Sequence, residues 1–284
     1  MKKFLLKLID LFAKRFWYNY MFESERHFGM NHNYNTQTLK RFDNPIYLEN
    51  FGFKVFSQND EDGIIEEIFK RINTSNKSFI EFGVQNGLES NAHFLIHKGW
   101  RGLWIEGDKK MSRSIEQIFN KPIKENRLRV INKFITRENI DSIIKDQMQF
   151  LCENGEIDLL SIDIDGNDYH VWNAIKCISP RVVVIEYNAK FPPNFEWVME
   201  YNSKHIWKYN DKHGASLKSL ENLGKILNYQ LVGTNICGTN AFFVRNDLVQ
   251  NHFCTIATSE NLYNPWRTMK LFQNGHPCNE YIGK

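Results

Sequence analysis

The chain has 284 residues, of which 42% are hydrophobic, and a net charge of +3. This composition supports one large folded domain or one domain plus an arm, and it excludes wholesale disorder. The nearly balanced charge argues against the strong positive field of a nucleic-acid-binding protein. The cysteines are Cys152, Cys177, Cys237, Cys254 and Cys278. Their wide spacing, without a Cys-x-x-Cys pair, argues against zinc and disulfides and predicts reduced thiols in the cytoplasm.

The first 22 residues predict an amphipathic helix. The apolar residues that recur at helical spacing are Leu5, Leu8, Ile9, Phe12 and Phe16. Lys7, Asp10 and Lys14 interrupt the apolar run, so no stable membrane insertion is expected. Such a helix packs against protein by default, and a membrane surface is the alternative. We therefore predict that residues 1–50 form an N-terminal helical arm and connector that makes a homodimer.

The remaining residues, 51–284, predict an α/β domain. A helix opens near Ser57, and apolar runs predict strands at 79–82, 102–106, 128–132, 158–163, 181–187, 229–233 and 240–245. Helical patterns lie at about 90–98, 112–120, 137–151, 168–177 and 216–228. Alternation of this kind predicts a Rossmann-like parallel sheet covered by helices. Only the last two strands lack an intervening helix, so they are expected to form a terminal antiparallel hairpin.

A glycine turn after the first strand predicts a nucleoside pocket. Gly83 and Gly87 allow a sharp bend and the close approach of a ligand. Glu106 ends the next strand 23 residues after Gly83, the spacing at which a carboxylate meets a ribose. Gln85 replaces the second glycine of a dinucleotide motif, and the carboxylate of Glu81 would repel a pyrophosphate. That pattern favours the cationic S-adenosylmethionine, although a glycine turn can also be purely structural.

A second group of polar residues follows the fourth predicted strand. Asp163 and Asp165 lie in an acidic loop, and Glu186 ends the next strand, so all three are expected at the same crevice. Their oxygens could bind Mg²⁺ or Mn²⁺, while acids in such a loop also serve as turn and helix caps. His170 is the candidate general base. A polar, aromatic insertion at about 191–215 is expected to build the substrate pocket.

Seven short motifs together resemble those of the FkbM-type class I methyltransferases. They are Ser57-Gln, Glu61-Asp62-Gly, Ile80-Glu-Phe-Gly, Trp104-Ile-Glu106, Leu160-Ser-Ile-Asp-Ile-Asp-Gly-Asn-Asp-Tyr169, Val184-Ile-Glu-Tyr-Asn188 and Asn240-Ala-Phe-Phe-Val244. The resemblance covers about residues 53–248. It implies a seven-stranded methyltransferase sheet and transfer of a methyl group to a sugar oxygen. The sugar in such enzymes is often nucleotide-activated, and they often occur in bacterial polysaccharide gene clusters.

The resemblance also implies roles for individual residues. By position, it implies that Gln58, Glu81, Gly83 and Glu106 contact S-adenosylmethionine, and that Asp163, Asp165 and Glu186 line the acceptor side or hold a metal. From the residues themselves we add Gly87 and Asp163 to the predicted cofactor-binding residues, and we predict that Asp163, Asp165 and His170 are catalytic.

We therefore expect an S-adenosylmethionine-dependent O-methyltransferase. Its acceptor would be a sugar hydroxyl, most plausibly of a nucleotide-linked capsule or lipopolysaccharide precursor. Three alternatives remain open: an N-methyltransferase acting on an amine or amide, a non-catalytic binding module with a methyltransferase fold, and a nicotinamide-dependent sugar oxidoreductase. The last is the weakest, because the third glycine and a Tyr-x-x-x-Lys pair are missing.

Overall fold

The computed structural model describes residues 41, 44–152, 154–207 and 211–266. A 3₁₀-helix at Leu48–Phe51 precedes the strands, which are β1 (Ser78–Phe82), β2 (Arg101–Glu106), β3 (Leu128–Asn132), β4 (Leu159–Ile162), β5 (Val182–Glu186), β6 (Tyr229–Thr234) and β7 (Asn240–Arg245). The helices are α1 (Glu61–Ile72), α2 (His93–His97), α3 (Lys109–Ile118), α4 (Asn120–Lys124), α5 (Ile140–Lys145), α6 (Met148–Leu151), α7 (Asp168–Ala174), α8 (Leu217–Ile226), α9 (Asn246–Val249) and α10 (Ser259–Leu262). The helix predicted for the N-terminal arm lies outside the described residues.

The seven strands form one sheet in the order β3-β2-β1-β4-β5-β7-β6. The first five strands pair in parallel, whereas β7 is antiparallel to both β5 and β6. The prediction of a Rossmann-like α/β sheet with a terminal antiparallel hairpin is therefore confirmed. Between β1 and β4 the direction in which successive strands are added reverses, and this reversal is where open α/β sheets bind ligands.

Each face of the sheet carries its own hydrophobic core. Ile80 and Phe82 of β1 enter one core together with Trp172 of α7. Phe79, on the opposite face of the same strand, enters the other core with Trp104. A strand covered on both faces reads as a continuous apolar run rather than an alternating one. That is why these strands could be located from the sequence.

Residues just before the predicted domain boundary also pack against the sheet. The side chain of Leu48 is fully buried, and it lies against Gly233 of β6. The carboxylate of Glu49 pairs with the guanidinium of Arg41. Residues 44–50, predicted as a connector, thus contribute to the core. Within the part of the chain that the structure describes, no helix is long and apolar enough to cross a membrane.

The helix predicted from Ser57 begins later, at Glu61. One carboxylate oxygen of Asp62 accepts hydrogen bonds from the backbone amides of Val55, Phe56 and Ser57. These bonds hold the preceding residues as a loop, because an amide bonded to a side chain is not available for a helical bond. The helix predicted at 112–120 is observed as α3, which begins three residues earlier, and the helix predicted at 137–151 is observed as the two short helices α5 and α6.

Candidate functional site

The glycine turn after β1 lies at the strand reversal, directly against the loop after β4. Gly83 has a φ of +70°, and a Cβ added there would lie 1.6 Å from the carbonyl oxygen of Asp163. Gly87 has a φ of +78°, and its Cβ would meet the rings of Trp104 and Phe119 at 2.7–2.9 Å. Both glycines are thus required by the packing of the protein itself. These contacts give a packing reason for both glycines, and the expected close approach of a ligand stays a prediction.

Glu81 is used inside the protein. Its carboxylate accepts hydrogen bonds from the amides of Asn91 (2.7 Å) and Ala92 (3.1 Å) and from the indole of Trp104 (2.9 Å). Burial raises the pKa of Glu81 to about 7. The carboxylate therefore fixes the chain that follows the glycine turn. These bonds engage both carboxylate oxygens within the protein, and the predicted contact of Glu81 with a cofactor stays a prediction.

Glu106 joins the glycine turn to the end of β2. One carboxylate oxygen accepts a hydrogen bond from the amide of Gln85 (2.7 Å) and the other from the amide of Asp108 (2.7 Å). Burial raises the pKa of Glu106. Each carboxylate oxygen has a second lone pair, so Glu106 can still accept from the hydroxyls of a ribose. Gln58 is exposed, and its predicted contact with a cofactor stays a prediction.

The structure brings together the three carboxylates predicted as metal ligands. One oxygen from each of Asp163, Asp165 and Glu186 lies within 4.8 Å of the others. Burial, followed by the charges of the neighbouring acids, raises the pKa values of Asp163 and Glu186 well above their ordinary range. Such a group of acids is unfavourable when all are ionised and no cation is present. A set of carboxylate oxygens is also what Mg²⁺ and Mn²⁺ prefer.

A histidine from the insertion faces this cluster. His213 Nδ1 lies 3.8 Å from Glu186 Oε2, and both atoms are buried without a hydrogen-bond partner among the described residues. Burial lowers the pKa of His213, against the opposing effect of Asp165. Asn188 Nδ2 donates to the carbonyls of Asp211 (2.8 Å) and His213 (3.1 Å), which brings this part of the insertion to the end of β5. An unpaired buried acceptor beside an unpaired ring nitrogen is a place for a ligand atom.

A cavity of about 140 Å³ opens beside these residues. Its lining residues are Asp165, Glu186, Tyr187, Asn188, Ala189, Lys190, Trp207, His213, Gly238, Thr239 and Trp266. The ring of Trp207 lies 5.6 Å from that of His213, and the Lys190 ammonium lies 4.9 Å from the centre of the Trp266 ring. Lys190 also pairs with Asp211. The cavity therefore combines two carboxylates, one ammonium and the rings of one tyrosine and two tryptophans.

His170, the predicted general base, makes its contacts elsewhere. Its Nε2 donates to the carbonyl of Met199 (2.7 Å), and its ring packs 5.3 Å from that of Tyr201. These contacts hold the insertion, and the predicted role of His170 as a general base stays a prediction. Asp168 closes the turn before α7, which is the turn role that was the alternative for such acids: it accepts hydrogen bonds from the amides of Ile164 and Gly166, both at 2.8 Å.

The sequence analysis did not identify His213 as a neighbour of the three carboxylates. Proximity along the chain favoured His170, which follows Asp165 closely, whereas His213 lies in the insertion after β5. Its placement depends on the amide of Asn188, whose contacts join residues more than 20 positions apart. The one signal in the sequence was the polar, aromatic character of the insertion itself.

No protein-family model and no curated protein matches the sequence. Solved structures do resemble the fold. The N-terminal domain of EvdMO1 with SAH bound is 11% identical, with 74% of this chain and 93% of that chain covered and a TM-score of 0.43. A putative caffeoyl-CoA O-methyltransferase from Staphylococcus aureus is 14% identical, with 80% and 97% covered and a TM-score of 0.45. The glycopeptide N-methyltransferase MtfA complexed with sinefungin is 9% identical, with 64% and 85% covered and a TM-score of 0.38. At these scores the similarity assigns neither an activity nor a substrate to this chain.

Proposed function

We propose that this protein is an S-adenosylmethionine-dependent methyltransferase. The observation that carries the proposal is the glycine turn at the strand reversal, joined to Glu106 at the end of the neighbouring strand. Glu106 can accept hydrogen bonds from the ribose of the cofactor, because each of its oxygens keeps a free lone pair. Asp163, whose backbone contacts Gly83, lies near this point, and its carboxylate favours a cation such as the sulfonium of the cofactor.

The proposed acceptor is the hydroxyl of a sugar, and specifically of a nucleotide-activated sugar for capsule or lipopolysaccharide synthesis. The composition of the cavity supports a sugar. Trp207 and Trp266 offer apolar ring surface, and Asp165 and Glu186 can accept hydrogen bonds from hydroxyl groups. Lys190 at the same cavity suits an anionic group such as a phosphate. A cytoplasmic location and a homodimer formed through residues 1–50 belong to the same proposal.

A divalent cation fits the acceptor side. Asp163, Asp165 and Glu186 would hold Mg²⁺ or Mn²⁺, and the unpaired Oε2 of Glu186 supports this assignment. When bound, such an ion lowers the pKa of a coordinated hydroxyl and makes it a better nucleophile. The raised pKa values of Asp163 and Glu186 mark a site where added positive charge would stabilise the ionised acids.

The protein itself would act mainly by positioning. The glycine turn would fix the methyl donor and the cavity would fix the acceptor, so that the oxygen and the methyl carbon meet in line. Asp163 lies between the proposed sites of the methyl donor and the acceptor. Its carbonyl oxygen contacts Gly83, and its carboxylate belongs to the acid cluster. The role of His170 as general base stays a prediction.

A transfer assay tests this function. We would incubate the purified protein with S-adenosylmethionine carrying a labelled methyl group, Mn²⁺ and a panel of nucleotide-sugars, and identify products by mass spectrometry. We expect label on a sugar oxygen, with transfer reduced by Asp163→Asn and unchanged by the control Asp247→Asn at the opposite edge of the sheet. Label on nitrogen would favour the N-methyltransferase alternative. Binding of the cofactor without transfer to any acceptor would favour the non-catalytic module.

A further inference from the structure

Part of the insertion crosses the acidic loop and is bonded to it. We call residues 197–207 the strap. Asn167 Nδ2 donates to the carbonyl of Asn202 (2.8 Å), and the amide of Asn202 donates to Asn167 Oδ1 (3.3 Å). Further along the strap, His205 Nε2 donates to the carbonyl of Asp165 (3.1 Å). The strap therefore reaches the backbone of a residue whose side chain belongs to the acid cluster.

We propose that His205 is a positioning residue that holds Asp165 in the conformation in which its carboxylate joins those of Asp163 and Glu186. The inference rests on the proposed function, because it assigns His205 to the cation and acceptor side of that site. His205 acts through the backbone of Asp165 and does not itself belong to the group of converging carboxylates. It is thus distinct from the residues that would touch a cation.

The backbone of Asp165 gives the first argument. Asp165 has a φ of +55°, in the left-handed region that is unfavourable for residues with a side chain. Such a conformation persists only where surrounding contacts determine it. The hydrogen bond from His205 to the carbonyl of Asp165 is one such contact. Without it, the backbone is expected to relax to negative φ, which would swing the carboxylate away from its neighbours.

Gly166 gives the second argument. A Cβ added to Gly166 would lie 2.4 Å from Cδ2 and 2.6 Å from Nε2 of His205. The imidazole ring therefore occupies the space that the absent side chain leaves free. On its other side, the amide of Gly166 donates to Asp168 Oδ2 (2.8 Å). The loop is held between Asp168 and His205, and a side chain at position 166 would displace the imidazole ring.

The position of His205 is itself defined by the strap. The amide of His205 donates to the carbonyl of Asn202 (2.9 Å), the same carbonyl that accepts from Asn167. Two residues further on, Trp207 lines the acceptor cavity. The strap thus couples the conformation of Asp165 to the wall of the cavity, so that the acids and the binding site for the acceptor assemble together.

The affinity for Mn²⁺ alone, measured by calorimetry, tests this role without an acceptor. Residues that support a metal ligand typically change metal affinity by about 10–100-fold. We therefore expect His205→Ala to weaken Mn²⁺ binding by about tenfold. His205→Gln should restore most of the affinity, because the amide nitrogen of glutamine can donate to the Asp165 carbonyl. The control is Lys204→Ala, an exposed neighbour in the strap, which should bind Mn²⁺ as the unchanged protein does.

A double-mutant cycle tests whether the ring acts through Gly166. Gly166→Ala alone should displace the ring and weaken Mn²⁺ binding, since its Cβ overlaps His205. Gly166→Ala combined with His205→Ala should bind no more weakly than His205→Ala alone, because the clash is gone. Losses that simply add would contradict the proposed contact. Equal affinities of His205→Ala and Lys204→Ala would overturn the positioning role.

Crystal structures of the metal-free unchanged protein and of His205→Ala separate this inference from the function on which it rests. We expect Asp165 to leave the left-handed region in the variant and its carboxylate to move away from Asp163 and Glu186. An unchanged Asp165 would overturn the inference. If the unchanged protein binds no Mn²⁺ while Asp165 moves in the variant, the proposed cation site fails and the positioning role of His205 stands.

Discussion

The two sides of the crevice satisfy their polar groups in opposite ways. At the ends of β1 and β2, the proposed cofactor side, both oxygens of Glu81 and both oxygens of Glu106 accept hydrogen bonds from the protein. At the ends of β4 and β5, the proposed acceptor side, Glu186 Oε2 and His213 Nδ1 are buried without a partner among the described residues.

This difference indicates how each side is stabilised. On the proposed cofactor side, backbone amides and the Trp104 indole hold the two carboxylates in the absence of a ligand. The acceptor side brings together carboxylates whose pKa values are raised by burial and by one another. Such a cluster lowers the stability of the protein on its own and gains stability when a cation or a hydrogen-bond donor enters.

The largest expected effect is on the cofactor side. Gly83→Ala would force a side chain into a backbone with a φ of +70° and place its Cβ 1.6 Å from the Asp163 carbonyl. We expect a loss of more than about 3 kcal/mol in the free energy of unfolding, or failure to fold, because the obstructing atom belongs to the backbone and cannot rotate away. Urea unfolding followed by circular dichroism measures this loss.

The matched control is Gly99→Ala. Gly99 has a φ of +79°, but nothing lies within 4 Å of an added Cβ. The free energy of unfolding of this variant should fall only by the cost of the left-handed conformation, about 1–2 kcal/mol. Similar losses for the two variants would show that the contact between Gly83 and Asp163 does not hold the crevice together.

The next largest effect is an increase in stability, expected for a substitution on the proposed acceptor side. Glu186→Gln should raise the free energy of unfolding by about 1 kcal/mol at pH 8, because it removes a buried charge with an unpaired oxygen. The pKa of Glu186 is raised above its ordinary 4.5 in the folded state, so the folded protein binds the proton more tightly than the unfolded chain does. Stability is therefore lost as the pH rises above that ordinary value.

The increase in the free energy of unfolding caused by Glu186→Gln should accordingly be larger at pH 8 than at pH 5. Urea unfolding at both pH values measures it. The exposed Glu196→Gln is the control and should change stability little at either pH. Destabilisation by Glu186→Gln at pH 8 would show that the carboxylate is already satisfied, and the contrast between the two sides would disappear.

The smallest effect concerns His170. His170→Ala removes one hydrogen bond to the carbonyl of Met199 and should cost about 1 kcal/mol of stability. Loss of a general base typically lowers a rate by about 10²–10⁴-fold. Because the ring is held against the insertion, we expect a smaller loss of methyl transfer, measured with the acceptor that the transfer assay identifies. A loss of about 10²–10⁴-fold would support the predicted role of His170 as the general base.

The sheet and the main site positions could be predicted from the sequence because they depend on local patterns. Buried parallel strands are continuous apolar runs, and a carboxyl end is marked by the glycine or acid that follows it. Gly83, Glu106, Asp163 and Glu186 were found in this way. The structure places all four at one edge of the sheet, as expected for the ends of parallel strands.

The rest depends on contacts between residues far apart in the chain. The carboxylate of Glu81 accepts a hydrogen bond from the Trp104 indole on the neighbouring strand, and no spacing rule indicates this contact. The place of His213 follows from the hydrogen bonds of Asn188, and the contact of His205 follows from the crossing of the strap over Gly166. Polar contacts of this kind depend on tertiary packing, so they cannot be predicted from a pattern along the sequence.

The central claim, a nucleoside pocket at the glycine turn, is tested most directly by calorimetric titration with S-adenosylhomocysteine. We expect the unchanged protein to bind it, and Glu106→Ala to lose about 100-fold in affinity, since hydrogen bonds to a charged group contribute about 1.5–3 kcal/mol each. The control Glu116→Ala, at an exposed position on α3, should bind normally. Absence of binding by the unchanged protein, or equal binding by Glu106→Ala, would contradict the claim.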